Sequence, residues 1–574
     1  MSVVVASVFG AFIALAFRLN HLHRGDHSSR LASQERRQDL RVELRAPRGQ
    51  ILDRNGRILA LDKVAGHVSV DPRFIWQNED KPSTAKADEL AGLLGVSPAT
   101  VANVLKRRDT QWQPLRKFVP DDAAEAVRQR LKEGGLRGVI LESTSVRRYP
   151  LGPVTAHIVG YSSSLGHACA GVEMVLDDYL SPVNGYREAI KDAKGNEMAT
   201  RLSSMVSARP GATVQLTIDE YLQYVVDQKM EAAMKENGAT AAWAILMKVK
   251  TGEILAMVSK PGFDPNETYD FTSPARINHA IMTCYEPGSV MKVVTYAAAL
   301  NEGLVRTTDM IDCEFGVWSF AGKILRDAHA YGMLSFADAF MKSSNIATAK
   351  ISVDKLGAAR LEDYMKRFGM GRKTGIELPY EESGIFHPRS KWSQLSLSRL
   401  PIGQGIAVTP LQMINAVNTI ANGGVRMRPT LLKRVTDASG NLLHDFAPET
   451  MGRAVSPKVA TTMQWMMGRV CSKDGTARRA IMEGYPVGGK TGTAQKPVPG
   501  GYSSTDYIAS FAGFVPADDP EFSLLVAFDS PRPLHQGGVV AAPVFKQIAE
   551  EAVRYLRIPA RDPELIARFL TPHD

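Results

Sequence analysis

The chain has 574 residues, of which 44% are hydrophobic and 22% charged, with a formal net charge of +9. It is too long for one ordinary domain and too apolar to be disordered, so two or three packed domains are expected. The positive charge comes without a basic run interleaved with aromatics and without zinc-finger spacing, so no nucleic-acid partner is indicated; it suits an anionic membrane face or wall polymer.

Ser2 to Phe17 is apolar and uncharged, and Arg18 then opens a polar, basic stretch through Arg41. The run is slightly short of the roughly 20 residues that span a bilayer as a helix. No small-residue cleavage site follows it convincingly, so residues 1–17 are read as an uncleaved anchor and 18–44 as a juxtamembrane linker. Positive charge marks the cytoplasmic side of a span, yet here it follows the apolar run. The expectation is therefore that the natural start lies upstream, with a basic tail. His21 and His23 have no carboxylate or cysteine beside them and read as solvated residues, not metal ligands.

Residues 45–208 form a mixed first domain. It opens with Arg48-Gly49-Gln50-Ile51-Leu52-Asp53-Arg54-Asn55-Gly56-Arg57-Ile58, whose apolar residues flank an Asn-Gly turn and predict a hairpin. Helices are predicted near Thr84 to Leu94 and Asp121 to Lys132. The second domain, 209–557, starts with a strand over Thr213 to Thr217. Asp219 can cap a helix over Glu220 to Glu236. Ala241 to Met247 and Glu253 to Ser259 predict a hairpin. A helix-rich middle follows, and strands return at Val487 to Lys496, Ile508 to Val515 and Phe522 to Phe528. A last helix is predicted over Val544 to Leu556, with a short tail, 558–574, after it. Strands at both ends with helices between imply an α+β fold, one antiparallel sheet packed on helices. Cys169, Cys284, Cys313 and Cys471 are far apart with no C-x-x-C, so they read as small buried hydrophobes; neither metal nor cofactor is expected.

Three polar motifs carry chemistry in the second domain. Ser289-Val290-Met291-Lys292 follows Glu286-Pro287-Gly288, a turn that opens a helix. Ser289 then sits in a first helical turn, where the dipole favours a developing alkoxide, with Lys292 on the same face at i+3. Ser343-Ser344-Asn345 breaks two helical patterns, so a hydroxyl and an amide can point into a cleft. Lys490-Thr491-Gly492-Thr493 lies in a strand of small residues that a substrate backbone can approach. Lys490 supplies charge there, and the threonine hydroxyls can bind a carboxylate.

Each motif has decoys. Ser352-Val353-Asp354-Lys355 lies inside a helical pattern with no turn before it, so its lysine is expected on a solvated face. Lys250-Thr251-Gly252 and Lys373-Thr374-Gly375 read as turns, and so does Ser439-Gly440-Asn441. Local context, not the pattern alone, selects Ser289, Lys292, Ser343, Asn345 and Lys490 to Thr493.

With these residues the chain resembles the class B penicillin-binding proteins, and most of all their division-specific (septal) branch. The likeness runs from Arg48-Gly49 to Gly56, through Arg148-Tyr149-Pro150, His157-Ile158-Val159-Gly160 and Gly171-Val172-Glu173. It continues in Glu286-Pro287-Gly288-Ser289, Lys342-Ser343-Ser344-Asn345, Gly403-Gln404-Gly405, Thr409-Pro410-Leu411-Gln412 and Gly489 to Ala494, and ends in Ser510 to Phe514. It implies a membrane-anchored, two-domain chain, with a non-catalytic pedestal and a transpeptidase domain on the extracytoplasmic side of a bacterial inner membrane. It implies a serine D,D-transpeptidase that cross-links peptidoglycan stem peptides ending in D-Ala-D-Ala and is acylated by β-lactams. Ser289 would be the nucleophile and Lys292 the base, with Ser343 and Lys490 relaying the proton. Asn345 would hold the donor backbone and Thr491, Gly492 and Thr493 its carboxylate. The Ser289 and Thr493 N–H groups would form an oxyanion hole. The implied partners are a polytopic glycosyltransferase of the shape, elongation, division and sporulation family and other division proteins. The rivals are an elongation-specific relative, a non-catalytic β-lactam sensor and a serine β-lactamase. The last needs a deacylating base, and no matching Glu-x-x-x-Asn stands in the middle of the second domain.

Overall fold

The computed structural model describes residues 2–24, 39–78, 84–163, 166–191, 197–267 and 272–571. Most of the expected 18–44 linker (residues 25–38) and the end of the tail (572–574) lie outside them. The chain divides into two compact units: residues 1–49 with 181–212, and residues 50–180 with 213–574.

The first unit holds a helix, Ser2–Arg24, and a three-stranded antiparallel sheet of Asp39–Leu44, Gly185–Lys191 and Glu197–Val206. The helix runs seven residues beyond the apolar stretch, because nothing in Arg18 to Arg24 breaks it. Its Val4–His21 stretch is exposed, and long and apolar enough to cross a membrane. It is suited to a single-pass anchor.

In the second unit the Asn55-Gly56 turn closes a hairpin, with Gly56 at φ +86°. Ile51–Leu52 pairs antiparallel with Ile58–Val70 and, on its other edge, parallel with Thr213–Leu216. Buried Asp53 holds the turn by accepting the N–H groups of Asn55 and Arg57, both at 2.8 Å. Ile58–Val70 also pairs with Gln113–Pro120 and Val139–Arg148. The helices Thr84–Leu94, Pro98–Leu105 and Asp121–Lys132 close this lobe over Val68, Leu90, Val101, Val119 and Val127. Motifs of the first half meet here. Glu173, fully buried, accepts from Arg147 Nε at 2.6 Å, and a side chain on Gly160 would strike the Ala170 carbonyl oxygen at 1.9 Å.

The rest of this unit is built on a five-stranded antiparallel sheet. Its order is Ile254–Lys260, Ala241–Lys248, Phe522–Asp529, Gly501–Val515, Gly488–Val498, so the two ends of the domain sequence meet in one layer. The sheet is buried on both faces. Phe511 packs edge-on against Phe545 of the helix Gly537–Tyr555. From the other face Ser523 donates to Asn418 of Pro410–Ala421, a helix buried along its whole length and opened by the Thr409–Gln412 capping box. Glu220–Glu236 is helical, with Asp219 accepting from Tyr221 and Leu222 N–H.

Gly537–Tyr555 begins seven residues earlier than the pattern at Val544 indicated. Pro543 reads as a break, but it falls within the first two turns and burial on the sheet carries the helix through it. A further helix, Pro563–Leu570, capped by Asp562, occupies part of the expected tail.

Candidate active site

Ser289 lies in a 3₁₀ turn, Gly288–Met291, that leads directly into the helix Lys292–Asn301. Glycines make this turn possible. Gly288 has φ +54°, and Gly403 approaches so closely that a side chain on it would meet Gly288 O at 2.2 Å. Glu286 ties the turn to its neighbours by accepting Gly405 N–H at 2.8 Å and Tyr502 O–H at 3.1 Å. Burial raises its carboxyl above the usual range. Ser289 is half-buried, and its hydroxyl makes no hydrogen bond among the described residues.

Lys292 is fully buried one turn on. Its Nζ reaches Ser343 O at 2.6 Å, Ser343 Oγ at 3.2 Å and Asn345 Oδ1 at 2.8 Å. Lys490 is also fully buried, and its Nζ lies 2.8 Å from Ser343 Oγ. Ser343 Oγ therefore bridges two buried amines. The three motifs, with 51 residues from Lys292 to Ser343 and 147 from Ser343 to Lys490, share one hydrogen-bonded cluster.

Burial is the main reason that Lys292 is pulled well below the ordinary lysine range; the charge of Lys490 adds to this, and Asp327 opposes it. Burial likewise brings Lys490 to about 7. A neutral amine has two N–H groups and one lone pair. With its N–H groups on Ser343 O and Asn345 Oδ1, which only accept, Lys292 keeps a lone pair for a hydroxyl proton.

Ser343 holds a left-handed backbone, φ +61°, which costs a non-glycine residue about 1–2 kcal/mol. The helix Asn345–Lys350 starts two residues on. Ser344 caps it, accepting Ala347 N–H, while Asn345 Nδ2 donates to Arg326 O at 3.0 Å. Asp327 was not singled out from the sequence, where one aspartate in Leu325-Arg326-Asp327-Ala328 carries no signal. Its carboxylate accepts Ser344 O–H at 2.6 Å, Ile346 N–H at 3.1 Å and Asn345 N–H.

The Lys490 strand is an edge of the sheet, and the serine turn packs against it: a side chain on Gly288 would stand 3.4 Å from Thr493 O. Gly492 permits this contact, since a Cβ there would meet Ser510 Oγ at 2.3 Å and Val290 Cγ2 at 2.9 Å. Strand alternation places Lys490 and Gly492 on one face and Thr491 and Thr493 on the other. The Thr491 hydroxyl lies 3.2 Å from that of Thr476, and Thr493 Oγ1 accepts Gly537 N–H at 3.1 Å. Neither threonine hydroxyl bonds to the lysine cluster; Lys490 Nζ meets Thr491 only at its carbonyl oxygen, 3.5 Å away. Thr476 and Gly537 had no sequence signal beyond being small.

The decoys are elsewhere. Ser352 is buried in a turn of π-helix with no partner for its hydroxyl, and Lys355 is exposed. Thr374 is tied to Glu381, Lys250-Thr251-Gly252 turns the 241–260 hairpin, and Ser439 to Asn441 wraps Asp437.

A serine turn, two buried lysines and a bridging serine gathered beside one sheet edge form an arrangement suited to acyl transfer. The penicillin binding protein transpeptidase domain family matches residues 242–550, and the penicillin-binding protein dimerisation domain family matches 43–216. This chain belongs to the class B penicillin-binding proteins. Over 550 residues it is 33% identical to the penicillin-binding protein PbpB of Mycolicibacterium smegmatis, covering 90% of this chain and 84% of that one. The peptidoglycan D,D-transpeptidase FtsI of Escherichia coli is 30% identical, covering 90% and 85%. Penicillin binding protein 3 of Mycobacterium tuberculosis, solved with aztreonam, superposes with a TM-score of 0.70 at 28% identity, over 91% of this chain and 99% of that one. In this penicillin-binding protein the lysine cluster belongs to the transpeptidase match, and so does the strand that supports it.

Proposed function

We propose that the chain is a serine D,D-transpeptidase that cross-links peptidoglycan stem peptides at the division septum and is acylated by β-lactams. The observation that carries this reading is Ser343 Oγ held between Lys292 and Lys490 beside the Ser289 turn. Ser289 Oγ attacks the carbonyl carbon of the penultimate D-Ala, and its proton passes to Lys292. The C–N bond breaks, and the leaving D-Ala amine takes a proton through Ser343 from the lysine pair. The ester on Ser289 is then attacked by an amine of a second stem peptide, which forms the new amide and returns the proton. N–H groups of Ser289 and Thr493 stabilise the oxyanion; losing one such donor typically costs about 10²–10³ in rate. Asn345 holds the donor backbone, and Thr491 and Thr493, with Gly492 between them, receive its carboxylate.

The helix Ser2–Arg24 anchors the chain in the bacterial inner membrane, with the catalytic domain on the extracytoplasmic side. Residues 45–208 serve as the pedestal, and 209–557 carry the chemistry. The septal partners are a polytopic glycosyltransferase of the shape, elongation, division and sporulation family and other division proteins. A fluorescent penicillin should label the protein, and Ser289→Ala should abolish labelling; labelling that survives in this variant removes the nucleophile. Depletion in cells should give filaments, whereas round cells would place the enzyme in elongation.

A further inference from the structure

The edge strand orders the site along its length. Thr491 and Thr493 come first, then Ala494, against which the serine turn packs: a side chain on Gly288 would stand 3.2 Å from Ala494 Cβ. Past Val498 the chain turns back, and Tyr502 of the returning strand pairs with Pro497. A peptide whose terminal carboxylate lies at Thr491 and Thr493, with its scissile carbonyl at Ser289, therefore runs on toward Tyr502. Two charged side chains meet Tyr502 there. Its hydroxyl donates at 3.1 Å to Glu286, on the turn that carries Ser289. Arg399 lies close enough for its charge to act on the same hydroxyl.

Arg399 ends the short helix Ser396–Arg399, just before the turn Leu400–Ile402 and Gly403, whose carbonyl accepts Gly288 N–H at 3.3 Å. Its own carbonyl accepts Gln404 N–H at 3.0 Å, and its Nη2 donates to Ile324 O at 3.2 Å. No carboxylate among the described residues pairs with it, and Glu286 is engaged by Gly405 N–H and Tyr502 O–H. Arg399 is half-buried, and that burial draws its guanidinium below the ordinary arginine range. A guanidinium has five N–H donors in a planar fork that matches a carboxylate. Partly desolvated and without a counter-ion, it is a receiver for an anion that the chain itself does not supply.

We propose that Arg399 determines donor specificity: it receives a carboxylate on the stem-peptide residue that precedes D-Ala-D-Ala. The proposal rests on the transpeptidase reading above. The terminal carboxylate goes to the threonines at one end of the strand, and this second carboxylate goes to Arg399 at the other. Ser289 lies between, so two fixed points on either side of the scissile bond set its carbonyl over the nucleophile.

The test uses the full-length protein and two synthetic donors. Both are thioesters of an acylated dipeptide ending in D-Ala, whose first residue carries either a side-chain carboxylate or the matching carboxamide. Thioglycolate is the leaving group, so a carboxylate stands where the terminal D-Ala has one, and the released thiol is measured. Active sites are counted with a fluorescent penicillin, so that rates refer to folded protein. Wild-type kcat/KM should favour the carboxylate donor by about 10- to 100-fold, the worth of a hydrogen bond to a charged group. Arg399→Gln should bring that ratio close to one through a loss on the carboxylate donor. Arg399→Lys, which keeps the charge but not the fork, should keep part of the ratio and lose it as salt is raised. A wild-type ratio near one, or a fall in Arg399→Gln that is equal for both donors, would overturn the proposal. If Ser289→Ala still consumes the thioesters, the transpeptidase reading itself fails; if it is silent while Arg399→Gln keeps the wild-type ratio, only the role of Arg399 falls.

Discussion

Two regions of the second unit bury cations, and they treat them in opposite ways. Away from the candidate site, Arg147 meets Glu173 at 2.6 Å and Asp62 at 3.2 Å, and Lys260 meets Asp227 at 2.8 Å and Glu231 at 3.2 Å. At the candidate active site Lys292 and Lys490 are fully buried, yet no carboxylate among the described residues forms an ion pair with either. A buried charge is kept where it is paired and given up where it is not. Burial alone therefore does not mark chemistry. Burial without a counter-ion, next to a second cation and a hydroxyl, does.

That contrast can be broken at several points. Lys292→Met should lower penicillin acylation by about 10²–10⁴, the range of general-base catalysis. Melting temperature should hold or rise, because an unpaired buried amine is replaced by a well-packed apolar chain. A large fall in stability would mean that Lys292 is held as a structural charge like Arg147. Glu173→Gln tests the other region. Taking away one of the two carboxylates on Arg147 should cost about 1.5–3 kcal/mol, the worth of a hydrogen bond to a charged group, read by denaturant unfolding, while acylation per folded molecule stays at the wild-type value.

The pH profile sharpens the comparison further. Both site lysines have lowered values, so the neutral form that can accept a proton grows as pH rises. Acylation should therefore fall as pH drops below about 7, where Lys490 becomes protonated. Lys490→Arg, whose side chain keeps its proton, should stay slow at every pH; a normal rise would exclude a relay through Lys490. Gly492→Ala should slow acylation about 10-fold through displacement of the serine turn, since its Cβ meets Ser510 and Val290, and should cost about 1–3 kcal/mol as overpacking. Smallest of all, Ser352→Ala should leave labelling unchanged and stability level or slightly higher, because its buried hydroxyl has no partner to lose.

Much of the site was legible in the sequence for local reasons. Pro287 and Gly288 before an apolar helix placed Ser289 in a first turn, and the break between helical patterns placed Ser343 and Asn345 on a bend. Small residues from Gly488 to Ala494 placed Lys490 on an approachable strand. Elements with strong periodicity or caps, such as Thr84–Leu94, Asp121–Lys132 and Glu220–Glu236, fall where their patterns put them. The helix starting at Gly537 was misplaced because Pro543 outweighs the pattern locally, whereas packing on the sheet decides in the fold.

The chain by itself determined which residue types sit on which local frame: serine and lysine one turn apart, serine and asparagine across a bend, a lysine on a small-residue strand. Those follow from turn, cap and alternation preferences that act within a few residues. Only the tertiary structure decided that two lysines lose their counter-ions together, that Ser343 lies between them, and that Asp327 braces the turn from behind. Burial, and with it the protonation of an amine, is set by residues that the chain brings together from more than a hundred positions away.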